Sequence, residues 1–210
     1  MLLLSLKPLQ ILFLILTPIA VIGLLIVFVI IPLRQRYQKN NFKEYCYKAI
    51  YKIAFDEDFY LINNFLFRVD QSTVAKIDHI LFGNKYIYPI IDVYYDGDLL
   101  GKFEDKSLIL IDKKDKKYYT DNQYLVCKSL VESLSRTTGI DGNMFVGIVV
   151  VNNECKLGIE TKNKQYYFIQ RNKLKKLIKA IESRNVGKIN AAQLENAVKA
   201  IDKLNRTKKK

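Results

Sequence analysis

The hydrophobic positions fall into two patterns: a long apolar run near the amino terminus, and shorter periodic groups beyond it. Residues 11–33 carry no charged side chain, and Thr17 is their one clearly polar residue. As a helix rising ~1.5 Å per residue, this run is about 35 Å long, enough to cross a hydrocarbon core of ~30 Å. We therefore predict a membrane anchor over residues 1–33. A cleaved signal peptide is the alternative, but its apolar region is typically ~7–15 residues and closes with a small-x-small cleavage site, which this run lacks.

The next part of the chain shows helical and then β-type periodicity. Residues 42–55 repeat apolar side chains at three- and four-residue steps, which predicts a helix. Residues 74–82 and 86–95 are rich in β-branched and aromatic residues and are separated by the turn dipeptide Gly83-Asn84, so they predict two adjacent strands. Further strands are predicted at 59–69, 99–101 and 107–111, and a lysine-rich charged loop at 112–121.

The last third of the chain predicts one buried strand between helices. Residues 144–151 are an almost unbroken apolar run, which is typical of a strand covered on both faces by helices. A helix at 122–136 precedes it, and a strand at 165–169 and two closing helices follow, the second beginning with a capping box of Asn190 and Gln193. The sequence thus predicts an α/β (α+β) fold, with a single central sheet flanked by helices and one transmembrane helix before it.

The charge of the chain, formally +13, is concentrated at its carboxyl end. Residues 171–210 contain 13 Lys and Arg against three acidic residues, a net of +10, whereas residues 34–170 have a net of only +2. Most of the latter, residues 42–170, is the predicted main domain. This basic helical segment predicts a polyanionic partner, either nucleic acid or anionic lipid headgroups. A solvated basic surface that only covers the sheet is the alternative. The residues expected to make the contact are Lys173, Lys175, Lys176, Lys179, Arg184 and Lys188.

Charges beside the apolar run predict its orientation. Lys7 precedes it, whereas a short basic linker at residues 34–41 follows, and Arg34, Arg36, Lys39 and Lys43 all lie within ten residues of the run. The positive-inside bias then places residues 34–210 in the cytoplasm, as the soluble part of a single-pass protein of the cell membrane. The three cysteines have no zinc-ligand spacing, and as reduced thiols they agree with that compartment.

Acidic residues inside the two adjacent strands are the main candidates for chemistry. Asp78 lies within 74–82 and Asp92 within 86–95, and an unpaired buried carboxylate is costly. On adjacent strands two such carboxylates can converge on a hard divalent cation, with Glu44 on the first helix as a third acid. The alternative is that both aspartates satisfy backbone amides or lysines at the strand ends.

The residues around these acids resemble the nuclease-related domain (NERD) family, a branch of the PD-(D/E)xK restriction-endonuclease-like fold. The resemblance rests on Lys76-Ile77-Asp78-His79-Ile80-Leu81, Gly83, Tyr86-Ile87-Tyr88 and Ile91-Asp92-Val93, with Phe145–Asn153 as the following core strand. It implies a membrane-anchored DNA endonuclease in which Asp78 and Asp92 bind Mg²⁺ or Mn²⁺. Glu44 would then orient the metal or a water, and Gln123 would support the nucleophile.

One departure from the family pattern affects the predicted activity. The family lysine two residues after the second acid is Tyr94 here, a hydroxyl donor without charge at neutral pH, and the family glycine before Glu44 is Lys43. Lys76, on the strand face of Asp78, is the candidate to replace that charge, and a packing role is expected for His79. Two hypotheses follow: a metal-dependent endonuclease with a degenerate site, or a catalytically inactive nucleic-acid-binding or scaffold module at the membrane.

Overall fold

A computed structural model of the chain describes residues 8–70, 72–160 and 163–206. Lys7 and residues 207–210, which contribute to the charge argument above, lie outside these ranges. The chain divides into two compact units, Met1–Phe42 and Lys43–Lys210.

The amino-terminal unit is helical. Helix α1 (Pro8–Leu25) continues through a π-helical turn at Ile26–Ile30 into α2 (Ile31–Asn40), and Ile31 donates its N–H to the carbonyl of Ile26. Within the described residues, Leu14–Asn40 is a helix long enough and apolar enough to cross a membrane, by length and composition. The predicted apolar spanning helix is therefore present, and the basic residues 34–40 extend it as α2.

The second unit contains four α-helices, two three-residue 3-10 helices and nine strands in its described residues. The helices are α3 (Phe42–Glu57), α4 (Gln123–Thr138), α5 (Leu174–Glu182) and α6 (Ala191–Leu204). The strands are β1 (Tyr60–Arg68), β2 (Val74–Phe82), β3 (Ile87–Val93), β4 (Gly97–Lys102), β5 (Ser107–Asp112), β6 (Lys117–Asp121), β7 (Gly147–Val151), β8 (Leu157–Glu160) and β9 (Tyr166–Gln170). The mixed α/β class predicted from the sequence is confirmed.

The strands form two sheets, so the expectation of a single central sheet was wrong. The larger sheet has the order β1-β2-β3-β7-β9, with β1, β2 and β3 antiparallel and β7 and β9 parallel to β3. The smaller sheet has the order β6-β5-β4-β8. The chain changes sheet between Val93 and Gly97, and Gly97 lies so close to the carbonyl of Ile111 that a side chain would not fit there. That close approach allows β4 to pair with β5 instead of extending β3.

Two strands of the smaller sheet were missed in the sequence. β6 falls inside the predicted charged loop 112–121, and β8 is only four residues long. Most side chains of β6 are exposed, so its sequence lacks the alternation of a half-buried strand. Both are edge strands, whose position is set by pairing with β5 and β4 rather than by burial of their own side chains.

The larger sheet is covered on both faces, as the apolar run of β7 predicted. Helix α4 contacts β3, β7 and β9, and its Cys127 lies against Gly147, on the face that Gly147 shares with Val149 and Val151. Asp92 pairs with Val150 and therefore faces the other side. Helix α3 covers that side, where its Tyr47 ring stacks on His79 with a centroid distance of 6.4 Å. The candidate acids are thus placed between β2, β3 and α3.

Candidate functional site

The two predicted acids meet where β2 and β3 separate. The antiparallel ladder pairs residues 79–82 with 87–90 and extends no further toward Asp78. Beyond it, the backbone N–H of Asp92 donates to Oδ2 of Asp78 over 3.1 Å. The Asp78 carboxylate therefore takes the place of a backbone acceptor at the end of the ladder, which satisfies an amide that would otherwise be buried without a partner.

Asp78 is held as a carboxylate by two lysines. Lys43, in the first turn of α3, and Lys76, on β2, place their Nζ atoms 3.1 Å and 3.3 Å from Oδ1 of Asp78. Burial would raise the pKa of Asp78, but the Asp92 amide, Lys43 and Lys76 together outweigh burial and hold that pKa below its usual value. The lysine side chains are 65% and 46% exposed, so their outer surfaces are open to solvent.

Asp92 is in the opposite situation, because its side chain is only 1% exposed. Its Oδ2 lies 2.8 Å from Nε2 of His79, whereas its Oδ1 has no hydrogen-bond partner among the residues that the structure describes. Burial raises the pKa of Asp92, and the His79 contact opposes this without reversing it. The pKa values of the two acids are therefore displaced in opposite directions from the same ordinary value. Asp78 is surrounded by donors, whereas Asp92 is mainly surrounded by buried side chains.

His79 connects Asp92 to the neighbouring strand. Its Nδ1 lies 2.6 Å from Oδ1 of Asn63 on β1, and its Nε2 lies 2.8 Å from Asp92. A ring that donates to both oxygens carries a positive charge, which would offset a charged Asp92. Packing was expected for this residue; the structure adds a hydrogen-bonded role in positioning Asp92, with the Tyr47 ring covering the imidazole.

The side of the acid pair next to α3 also contains a thiol and a third cationic group. Cys46 is fully buried beside Asp92, and burial, reinforced by Asp92 and opposed by Arg171, raises the pKa of its thiol. Arg171, just after β9, places its guanidinium carbon 5.1 Å from the centroid of the Tyr45 ring. Arg171 thus adds positive charge near the Cys46 thiol.

Three residues of the predicted site lie apart from the acid pair in their contacts. Glu44 is 56% exposed and pairs with Lys48 on its own helix at 2.6 Å. Gln123 begins α4, which covers the opposite face of the sheet. Tyr94 follows the end of β3 and borders a cleft of about 300 Å³ together with Asp96 and Glu154. Burial, with smaller effects of those two acids, raises the pKa of Tyr94.

The contacts of Asp78 do not fit a resident Mg²⁺ or Mn²⁺ ion in this arrangement. Mg²⁺ is usually held by one or two carboxylates together with waters, and within the described ranges no group of three or more His, Cys, Asp and Glu side chains is placed to hold a metal. Both oxygens of Asp78 already accept from Lys43, Lys76 and the Asp92 amide. The alternative stated from the sequence, satisfaction of amides and lysines, describes the contacts of Asp78.

The carboxyl-terminal basic residues divide into two groups. Lys175 and Lys179 pair with Asp56 and Glu57 at 2.5 Å and 3.0 Å, which fastens α5 to the end of α3. Arg184 donates to the Tyr167 hydroxyl and lies over the Tyr86 ring, so it too has an internal role. The remaining predicted contact residues are exposed: Lys173, Lys176 and Lys188.

Lys43 was not predicted as a site residue, although the sequence contained a signal for it. The resemblance noted in the sequence matches Lys43 to a glycine and Tyr94 to a lysine, and these two departures were that signal. The contact of Lys76 with Asp78 agrees with the prediction from strand parity.

Comparisons with known proteins leave the family open. No family model matches the chain, and no curated protein matches it. One solved structure, the crystal structure of a protein of unknown function, aligns over 75% of this chain and 78% of its own, with 9% identity and a TM-score of 0.33. A similarity at that level transfers neither fold detail nor function.

Proposed function

We propose that this chain is a membrane-anchored, nuclease-like protein that binds nucleic acid, DNA in the first instance, without cleaving it. The observation that carries this proposal is the pairing of Asp78 with Lys43 and Lys76. Two ammonium groups stand beside the carboxylate that a metal ion would need. An enzyme of the resembled type gains its rate from a metal cation that polarises the phosphate and activates water. Here Lys43 and Lys76 pair with Asp78, the acid that would bind such a cation.

The same lysines place positive charge beside the acid pair, where the Asp78 carboxylate faces two ammonium groups. Both lysine side chains are about half exposed or more, so they can meet a phosphate from the solvent side. Phosphate contacts of this kind give affinity without sequence readout, and they make binding strongly dependent on salt.

The order of elements supports the nuclease-like part of the proposal. Asp78 lies on β2 and Asp92 on the adjacent β3, with a leading helix α3 before them and α4 after the meander. Strand β7, which lies within the predicted Phe145–Asn153 segment, pairs with β3. The NERD resemblance implies this succession, which would be retained in a descendant that has lost the metal.

Binding by the full chain in nanodiscs of uncharged lipid tests the proposal. Lys43→Ala/Lys76→Ala should reduce the slope of log affinity against log salt by about 2, since each phosphate contact contributes ~0.9 on duplex DNA. The matched control is Lys113→Ala/Lys156→Ala, which removes two lysines that pair with Asp96 and Asp98 beside the Tyr94 cleft. Equal loss in both double variants, or robust cleavage by the wild type with Mg²⁺ or Mn²⁺, would contradict the proposal.

A metal-dependent endonuclease is the second candidate, and one observation favours it. Oδ1 of Asp92 is buried without a hydrogen-bond partner, an unusual state for a carboxylate oxygen and one that a cation could satisfy. Calorimetric titration with Mn²⁺, compared with that of Asp92→Ala, separates the candidates. A saturable heat that disappears in Asp92→Ala would support the second; no heat in either protein would support the first.

The membrane location is part of the proposal. The apolar helix Leu14–Asn40 supports an anchor, and the excess of basic residues after the apolar run favours the cytoplasmic side for the second unit. A domain held there would bring nucleic acid, or the anionic lipid headgroups that compete for the exposed lysines, to the inner membrane surface.

A further inference from the structure

Helix α3 exposes a line of aromatic side chains. Tyr47, Tyr51 and Phe55 recur at four-residue steps, so they lie along one side of the helix. Their exposed fractions are 40%, 54% and 78%, and the Tyr47 and Tyr51 ring centroids are 6.0 Å apart. The inward side of the same helix is buried through Cys46 and Ile50. We name Tyr47, Tyr51 and Phe55 the aromatic stripe.

The charges of α3 do not favour a polyanion as the occupant of this stripe. The helix has three lysines and three acidic residues, so it is electrically neutral overall. Beside the stripe, Lys48 pairs with Glu44, and Asp56 pairs with Lys175. A neutral helix face with tyrosine and phenylalanine instead matches the headgroup region of a bilayer, where amphipathic aromatic rings are enriched.

The position of the stripe in the chain supplies a second, independent argument. Tyr47 follows Leu33, the last residue of the apolar run, by 14 residues. Even a fully extended segment of that length reaches no more than ~50 Å, and any helical content shortens it. A chain anchored by the apolar run therefore keeps α3 within reach of the lipid surface whatever the conformation of residues 34–41.

We infer that the aromatic stripe of α3 lies in the headgroup region of the bilayer that holds the amino-terminal helix. The stripe would act as a second membrane contact, fixing which face of the domain is turned to the lipid. This inference depends on the anchor in the proposed function and not on nucleic-acid binding.

The absence of tryptophan from the sequence allows a direct test. Phe55→Trp introduces a single indole in the stripe, and Tyr119→Trp, at a side chain 84% exposed on β6, provides a matched control. The full chain is reconstituted into nanodiscs containing brominated phosphatidylcholine. The indole at position 55 should emit at shorter wavelength and be quenched, more strongly by bromine near the headgroups than by bromine at the bilayer centre. The indole at position 119 should show neither change.

Several outcomes would overturn the inference. If the position-55 indole emits equally in brominated and in plain discs, as the position-119 indole should, the stripe does not touch lipid. Quenching of the position-55 indole by added single-stranded DNA, with none by lipid, would assign the stripe to nucleic acid. Quenching that appears only when several chains share a disc would assign it to a second copy. A chain that does not co-elute with the discs would remove the anchor and this inference together, while leaving DNA binding to be judged separately.

Discussion

The backbone N–H of Asp92 donates to the carboxylate of Asp78 over 3.1 Å, yet the two side chains have pKa values displaced in opposite directions. Asp78 receives donors from Lys43, Lys76 and this amide, which together outweigh its burial. Asp92 is more deeply buried, and the His79 hydrogen bond and the charge of Lys43 oppose that burial without outweighing it. Each acid therefore affects the pH dependence of stability with the opposite sign.

Asp78→Asn should lower stability at neutral pH and have little effect in acid. A carboxylate with a lowered pKa stabilises the fold above its ordinary pKa, 3.8, and loses that contribution as the pH falls through the lowered value. The loss near neutral pH should be about 1 kcal/mol, because both lysine partners are largely exposed. Thermal unfolding followed by circular dichroism from acid to neutral pH measures it, and a cost that does not change with pH would contradict the assignment.

Asp92→Asn should show the reverse dependence. An acid with a raised pKa favours the folded state most below its ordinary value, and this contribution is lost as the pH rises through the raised value. Removing the titratable group should therefore raise stability relative to wild type at neutral pH and leave it unchanged in strong acid. The same unfolding series provides the measurement. Destabilisation by Asp92→Asn at neutral pH would contradict this, because it would mean that the contacts of the charged carboxylate outweigh the cost of its burial.

His79→Ala should destabilise the domain mainly by depriving Asp92 of its one hydrogen-bond partner. Leaving that buried oxygen unsatisfied costs about 1–3 kcal/mol beyond the loss of packing. The cost should fall when the same change is made in Asp92→Asn, and a double-mutant cycle on denaturant unfolding gives the coupling. Asn63→Ala is the control, because it removes the other partner of His79 without touching Asp92. If the losses of unfolding free energy in the two single variants simply add in the double variant, His79 contributes packing only.

The hydrophobic pattern predicted the elements of the site but not the partners of its side chains. The predicted strand 74–82 coincides with β2, and β3 lies within the predicted 86–95, because both strands bury enough side chains to show a pattern. Strand parity also predicted Lys76 beside Asp78. The Lys43 contact depends on how α3 crosses the sheet, a tertiary choice that periodicity does not encode. The edge strands β6 and β8 were missed, and nothing in the predicted strands 99–101 and 107–111 indicated that they leave the first sheet, so one sheet was expected instead of two.

Tyr94→Lys should not restore phosphodiester cleavage. The side chain at position 94 borders the cleft with Asp96 and Glu154, so a lysine there has two acids close by and would be attracted to them. A single-turnover assay of the full chain with Mg²⁺ or Mn²⁺ should give the same baseline as wild type. A companion variant combines Tyr94→Lys with Lys43→Ala and Lys76→Ala, so that Asp78 no longer pairs with two lysines. Cleavage produced by Tyr94→Lys alone would show that position 94 still serves the acid pair.

The basic residues of the carboxyl-terminal segment should contribute unequally to polyanion binding. Lys173→Ala/Lys176→Ala removes two exposed ammonium groups and should weaken binding to DNA or to anionic vesicles, with a smaller salt slope. Lys175→Ala/Lys179→Ala removes the same charge but breaks the pairs with Asp56 and Glu57, so it should mainly lower thermal stability. If both double variants weaken binding equally, net charge and not direct contact governs the interaction. Comparing DNA with vesicles identifies the preferred polyanion.

The orientation of the second unit can be tested with a cysteine placed at Tyr119. The native thiols are unsuitable probes, since Cys46, Cys127 and Cys155 are at most 1% exposed. Burial also raises their pKa values, to about 12 for Cys127 and about 11 for Cys155, so little reactive thiolate forms on either side of the membrane.

Tyr119 is 84% exposed on β6, and Tyr119→Cys should therefore react readily wherever reagent reaches it. With the proposed cytoplasmic orientation, a membrane-impermeant maleimide should leave Tyr119→Cys unmodified in intact cells and label it after lysis. The wild-type chain should stay unlabelled in both conditions until it is denatured. Equal labelling of Tyr119→Cys before and after lysis would place the domain outside the cell and exclude a role at the cytoplasmic face.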